Sequence, residues 1–388
     1  MTLQFPQPVP VHRAVSRVDA FIASQNFDRP TLVLDLEQVV SNHAALKRGL
    51  GDAQICYAVK ANPTPALVAR LAAEGCGFDA ASRGEIELCL SQGAQPSRIS
   101  FGNTIKRPSD IAFAYGAGVR LFAADAEEEL DKIAENAPGA QVYIRLLVTE
   151  SEADWPLTRK FGCAPEKAAE LMARAQVLGL KPVGISFHVG SQTRQSAMWL
   201  RPLQGLARVW NDLRAAGFPL ELVNIGGGFP AFYGDEIEET ETYAAAVRAL
   251  VGDLFPGATR VMAEPGRGMV ANAGAIAAEV MLVSRKSDSD LCRWVYLDIG
   301  RFSGLAETEG EAIRYQIATP RDGGETGPCI LAGPSCDSAD VLYEKRPMAL
   351  PLDLAAGDKV IIRNTGAYTT SYSSVGFNGF PPLECVVL

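Results

Sequence analysis

The chain has 388 residues, 47% of them hydrophobic and 21% charged, and a formal net charge of −9 from 36 basic and 45 acidic side chains. A polypeptide this long and this apolar buries more than one core, which excludes a disordered chain and predicts two or three domains of ~150 residues. The acidic balance, with no local basic stripe, argues against nucleic acid as a partner and mildly favours a cationic ligand.

The opening MTLQFPQPVPVHR lacks the basic-then-apolar pattern of a secretory leader, and no apolar run reaches the ~18 residues of a membrane span. No membrane partner is therefore expected. Eight cysteines, at 56, 76, 89, 163, 292, 329, 336 and 385, form no C-x-x-C pair, and with three histidines in the chain no metal site is expected. The expectation is a cytoplasmic protein whose scattered cysteines stay reduced, mostly as small buried hydrophobes.

After a Pro-rich start, TLVLDL (31–36) leads into a helical pattern. Eight short apolar runs follow: ICYAVK (55–60), GFDAA (77–81), ISFG (99–102), RLFAA (120–124), VYIRLLV (142–148), VGISFHVG (183–190), LVNIGGG (222–228) and RVMAEPG (260–266). Each but the last is succeeded by an amphipathic helical stretch. Eight βα units over ~220 residues predict an α/β fold, a closed (β/α)8 barrel, with a doubly wound open sheet as the structural rival. The acidic run Glu127-Glu128-Glu129 reads as the solvated start of one of these helices. Beyond about residue 272, AAEVMLVSRK, RWVYLDIG, CILAGPSC, DKVIIRN and PPLECVVL are β-like and separated by Gly, Pro and Asp. The expected organisation is an N-terminal segment (1–35) joining a C-terminal β-domain (273–388), with the barrel between them (36–272).

In a parallel barrel the strand C-termini share one face, so polar residues at those ends converge. Lys60 ends the first barrel strand; alone it reads as a solvated lysine, but at a barrel mouth it is also a candidate amine nucleophile. Gly226, Gly227 and Gly228 end the seventh strand, where glycines let backbone N–H groups approach a phosphate. Glu264 and Arg267 follow the eighth. Arg267 suits a phosphate, and the nearby carboxylate then needs another partner, such as a protonated ring nitrogen. His188, ending the sixth strand, offers a flat imidazole. An amine for an imine, a phosphate cup and a carboxylate for a ring nitrogen together point to pyridoxal 5'-phosphate (PLP).

These motifs resemble those of the fold-type III PLP-dependent decarboxylases, the ornithine, lysine and diaminopimelate decarboxylases, over nearly the whole chain. The resemblance implies the barrel and β-domain of the alanine racemase-like fold. YAVKANP (57–63) matches the lysine motif, which makes Lys60 the imine-forming residue, and FDAASRGEIE (78–87) places Asp79 and Glu85 around the cofactor. By the same resemblance Arg145 supports the cofactor, His188 stacks on its ring and Glu264 pairs with its nitrogen. Ser191, the three glycines, Arg267 and Tyr368 would hold the phosphate.

GPSCDSADVLYE (333–344) resembles a loop that one subunit lends to the other. It implies a homodimer with shared active sites, in which Cys336 protonates the product carbon and Asp337 receives the distal ammonium of a diamino acid. Phe377 matches an aromatic that packs near the substrate. Asp298 falls one position early against the Asn-Asp-Gly stretch of eukaryotic-type ornithine decarboxylases, which leaves an amine-binding and a structural role both open and keeps lysine open as a substrate.

The expected reaction is decarboxylation of L-ornithine to putrescine. A dual lysine/ornithine enzyme is the nearest rival, followed by carboxynorspermidine and diaminopimelate decarboxylases. The length of most arginine decarboxylases of this fold counts against that substrate. The Cys-Asp loop counts against a racemase, and the β-domain against a PLP-binding module without catalysis.

Overall fold

A computed structural model describes residues 16–147 and 160–388. They form two compact units. One comprises Val39–Ala231 with Ile237–Met269; the other comprises the segment up to Gln38, Phe232–Glu236 and Val270–Leu388.

The first unit is a closed barrel of eight parallel strands: β1 (Gln54–Ala58), β2 (Gly77–Ala80), β3 (Ile99–Phe101), β4 (Leu121–Ala124), β5 (Gln141–Arg145), β6 (Lys181–Ser186), β7 (Leu222–Asn224) and β8 (Arg260–Ala263). Closure comes from β1 on β8, Gln54 opposite Met262 and Ile55 opposite Ala263. This is the barrel the alternating pattern predicts, and the open-sheet rival is excluded. Its interior is a packed core, filled among others by Cys56, Leu121, Tyr143, Val183, Leu222 and Met262.

The outer helices bury one stripe each. Leu200–Ala215 buries Leu203, Leu206, Ala207, Trp210 and Leu213, a spacing of three and four that keeps one face on the barrel. Prolines open Pro65–Ala73 and Pro108–Gly116, where a missing N–H costs no helical hydrogen bond. The acidic run at 127–129 does begin a helix, Glu127–Asn136, but Glu129 is not solvated. It is buried between Lys106, at 2.8 Å, and Lys132, at 2.5 Å. Lys106 also donates to the carbonyls of Asn103 and Ala123, so the buried Lys106–Glu129 pair pins the exits of β3 and β4.

The second unit is the expected β-domain. Its sheet runs Gln316–Ala318, Lys359–Arg363, Gly274–Ser284, Arg293–Leu297, Thr326–Ala332 and Met348–Pro351. Thr31–Leu34 joins it antiparallel to Gly274–Ser284 and parallel to Glu384–Val387, with Leu32 opposite both Ile276 and Cys385. Leu32, Ile276, Val295, Leu331 and Ile362 share its core. No helix among the described residues is long and apolar enough to cross a membrane.

Candidate active site

Because all eight barrel strands are parallel, the residues that follow β1, β2 and β5 to β8 emerge on one face. Lys60 lies on a single 3-10 turn, Val59–Ala61, directly after β1. The turn is held firmly. The Tyr57 hydroxyl donates to the Asn62 carbonyl at 3.0 Å, and Asn62 Oδ1 accepts from the Thr64 N–H and hydroxyl at 3.1 and 2.6 Å. The Ala58 N–H donates to the Pro265 carbonyl at 3.1 Å, which locks the exits of β1 and β8 together. The Lys60 side chain stays half exposed, with Nζ 3.9 Å from Asp79 Oδ2.

Buried Asp79 and half-buried Glu264 are two carboxyl groups on this face of the barrel. Burial pushes both upward; for Glu264 the neighbouring Asp79 adds to the rise, to about 7. Lys60 and Arg145 oppose it. Asp79 Oδ1 is buried without a hydrogen-bond partner. Lys60 and Arg145 balance the two carboxyls in charge, but the orphaned Asp79 oxygen leaves a place for one more donor. The protonated nitrogen of a pyridine ring would supply it, so these residues fit PLP. Glu85 stands one step back. It caps the helix Arg83–Ser91 by accepting from the Ala81 N–H at 2.6 Å, while its own N–H donates to Ser82 Oγ at 3.3 Å.

His188 is half-buried after β6 and accepts from the Gly190 N–H through Nδ1 at 3.0 Å, which puts its proton on Nε2. Burial, with Arg145 and Lys60 nearby, pushes its pKa down to about 3, so the ring is neutral and available for stacking. Gly227 lies beneath it: a Cβ there would meet the Glu264 carbonyl at 2.9 Å and His188 Nε2 at 3.1 Å. Gly228 has φ +110°, and a Cβ there would meet Val189 at 2.5 Å and the Gly190 carbonyl at 2.6 Å. The exits of β6, β7 and β8 therefore pack too closely for any side chain between them.

The loop after β6, which carries Ser191, is tied to the loop after β7. The Thr193 N–H donates to the Gly228 carbonyl at 3.1 Å, and the Gln192 amide pairs with both backbone groups of Ala231. Arg267 is buried and opens the short helix Arg267–Val270; Arg145 stands 5.1 Å from the Phe161 ring. Two residues of this face escaped the sequence reading: Gln192, and Asn224, which is fully buried and donates to Glu264 at 2.5 Å. A signal for Asn224 existed, since it is the polar residue that closes the apolar run of β7 just before the glycines.

The β-domain presents its own set. Cys336 is exposed, and its N–H donates to Asn378 Oδ1 at 3.0 Å. Asp337 is exposed and accepts from the Ala339 N–H through Oδ1 at 2.8 Å. The Phe377 and Phe302 rings lie 4.8 Å apart. Buried Asp340 anchors the loop, accepting from the Arg301 N–H at 2.7 Å and from the Ser335 N–H and hydroxyl at 3.1 and 2.7 Å. Tyr368 is half-buried with φ +56°. Asp298 accepts from the Glu279 N–H at 2.8 Å, a structural bond across two strands of the sheet, and burial raises it to about 6. All eight cysteines are free, five of them buried; burial pushes the thiols of Cys76, Cys89, Cys163 and Cys329 up to about 12, which makes them inert. Cys292 and Cys385 are only half-buried.

The sequence profile described as "Pyridoxal-dependent decarboxylase, pyridoxal binding domain" matches residues 36–271. Over 352 residues the chain is 35% identical to the lysine/ornithine decarboxylase of Selenomonas ruminantium, covering 90% of this chain and 87% of that protein. The solved lysine/ornithine decarboxylase of Vibrio vulnificus, complexed with cadaverine, is 32% identical with a TM-score of 0.86 and covers 97% of this chain and 100% of its own. The arginine decarboxylase of Paramecium bursaria Chlorella virus is 27% identical with a TM-score of 0.86, over 96% of this chain and 99% of that one. An arginine decarboxylase of the same extent exists, so chain length is no argument against that substrate.

Proposed function

Because the chain belongs to the pyridoxal-dependent decarboxylases and is thus a PLP-dependent amino-acid decarboxylase, we propose that it acts on the diamino acids L-lysine and L-ornithine, releasing cadaverine and putrescine. Ornithine alone, the first expectation from the sequence, is the narrower version. The relatives from Selenomonas and Vibrio, each named for both substrates, support the dual reading better. The observation that carries a diamino acid is Asp337. It is an exposed carboxylate next to an exposed cysteine, with one oxygen engaged by the Ala339 N–H and the charge available to a distal ammonium.

PLP, when bound, supplies the electron sink for the breaking carbon–carbon bond. Lys60 would hold it through its amine. Glu264, ionised, holds a proton on the ring nitrogen, and Asp79 adds negative charge beside it. The neutral His188 ring would offer a flat face for stacking, and Arg145 opposes proton uptake by Asp79 and Glu264. Gly227, Gly228, Ser191, Arg267 and Tyr368 would hold the phosphate, while Gly226, its N–H taken by Asn224, shapes the turn. Cys336 delivers the proton to the product carbon, Asp337 binds the far amine, and Phe377 packs along the methylenes. For Asp298, the bond it accepts from the Glu279 N–H supports a structural role. The reading includes a homodimer in which the Cys336 loop of one protomer completes the site of its partner, and its support is the exposure of Cys336 and Asp337 on their own unit. A cytoplasmic location belongs to the same reading, supported by eight free cysteines.

The test is carbon dioxide release from L-lysine, L-ornithine, L-arginine and meso-diaminopimelate, in parallel, by purified protein with added PLP. Lysine and ornithine differ by one methylene, so their kcat/KM values should lie within ~200-fold of each other. Turnover of ornithine alone would restore the narrower reading. Release only from arginine or diaminopimelate, or from none of the four, would overturn the proposal.

A further inference from the structure

We propose that Asn224 is a positioning residue of this active site, whose single amide shapes the glycine turn with its oxygen and orients the Glu264 carboxylate, in its ionised form, with its nitrogen. The inference rests on the assignment of Glu264 to the cofactor ring nitrogen.

Asn224 is the last residue of β7 and is fully buried. Its Oδ1 accepts from the Gly226 N–H at 2.9 Å, and its Nδ2 donates to Glu264 Oε1 at 2.5 Å. The orientation of the amide is forced. A backbone N–H can only donate, so the oxygen must face Gly226 and the nitrogen must face Glu264. A third bond closes the ring, because the Glu264 N–H donates to the Gly226 carbonyl at 2.8 Å. Glu264 is thereby tied through backbone and side chain to the same two-residue turn. Gly226 has φ +69°, and a Cβ there would run into the Phe187 carbonyl, so the turn requires glycine and needs a cap for its N–H.

The electrostatics give the amide a second task. The charged groups facing Glu264 are Asp79 from β2, Lys60 after β1 and Arg145 from β5; the uncharged Cys56 thiol and Tyr143 hydroxyl line the same interior. Burial and Asp79 both drive Glu264 towards its protonated form. Nδ2 carries only donors, so it bonds the carboxylate and has nothing to offer the proton of a carboxylic acid. An aspartate at 224 would keep the bond to Gly226 and lose this selection, adding a third carboxylate instead. One side chain thus couples the phosphate end of the cofactor site to its ring-nitrogen end.

The experiment compares wild type, Asn224→Asp and Asn224→Leu as PLP-loaded proteins. PLP dissociation is measured by equilibrium dialysis, the visible absorbance of bound cofactor is titrated against pH, and kcat is profiled against pH. Asn224→Asp should melt above Asn224→Leu, since the turn keeps its cap. It should bind PLP ~10-fold more weakly at pH 7, regain affinity at pH 8.5, and shift the acid limbs of the absorbance and kcat profiles upward by about one pH unit. Asn224→Leu loses both bonds and should weaken PLP ~100-fold with no recovery at high pH. Unchanged affinity and profiles in both variants, or equal losses in both at every pH, would overturn the inference. A wild-type protein that binds PLP but decarboxylates none of the four amino acids would end the substrate reading, while dialysis and absorbance would still decide the role of Asn224.

Discussion

The barrel mouth and the Cys336 loop present chemical groups in opposite ways. At the barrel mouth, the two carboxyls are surrounded by partners that constrain them. Glu264 is tied to Asn224 and Gly226, Asp79 faces Lys60, and His188 is oriented by Gly190. The loop keeps its anchor inside, at Asp340, and turns Cys336 and Asp337 out to solvent. The contrast separates two demands. Charge management needs burial and fixed dipoles, because a carboxyl shifts its proton only when desolvated. Substrate recognition needs a charge left with capacity for a new partner.

The largest expected effect tests the barrel side of that contrast. Lys60→Ala should cut turnover by ~10⁴-fold or more and remove the visible absorbance of lysine-bound cofactor; retention of both would take Lys60 out of the chemistry. Cys336→Ala should cost ~10²-fold in kcat while PLP remains bound, because only the proton delivery is lost. Mixing these two inactive chains should then restore part of the activity through hybrid dimers. No recovery despite demonstrated subunit exchange would place both groups in one protomer and collapse the contrast between a lending and a receiving region. Asp337→Ala should raise KM for both diamino acids by ~10-fold and leave PLP affinity untouched; a change in PLP affinity with unchanged KM would move Asp337 to the cofactor side.

The smallest effect concerns His188 and sharpens the view of the barrel mouth as a desolvated place. Its folded pKa is about 3 against an ordinary 6.5. The unfolded chain therefore takes up the proton first as pH falls from 6.5 towards 3. Through that window His188 removes stability, by at most ~1.4 kcal/mol per pH unit. The cofactor-free His188→Gln protein should lose less stability than wild type between pH 7 and pH 5 in urea titrations. An identical loss would mean that the imidazole is solvated.

The legible parts of the molecule were those governed by chain-local physics. Eight apolar runs alternating with amphipathic helices specify the barrel, because strand and helix periods are properties of short windows. Lys60, His188, Glu264 and the glycines 226–228 at those strand ends were visible for the same reason. Glu129 was not legible. Its neighbours in sequence are acidic and solvated, and its partner Lys106 reaches it only through the packing of adjacent βα units. Asn224 was missed because an amide at the end of an apolar strand carries no charge to flag it, and its two bonds depend on how β7 meets β8. The orphaned oxygen of Asp79 is likewise a property of three-dimensional burial. What the sequence hid were pairings and desolvation, both products of tertiary approach.

The pairing of Thr31–Leu34 with Glu384–Val387 has a consequence for the order in which the protein can be made. The barrel unit lies wholly between these two strands in sequence, so a growing chain can close the barrel while the early strand still waits for its parallel partner. During that interval Thr31–Leu34 is an apolar edge with unsatisfied backbone groups, exposed to pairing with other nascent chains. Yield in a cell should therefore depend on how quickly the downstream sheet reaches it. A truncation that removes only Glu384–Val387 would prolong that vulnerable interval while leaving every barrel residue in place.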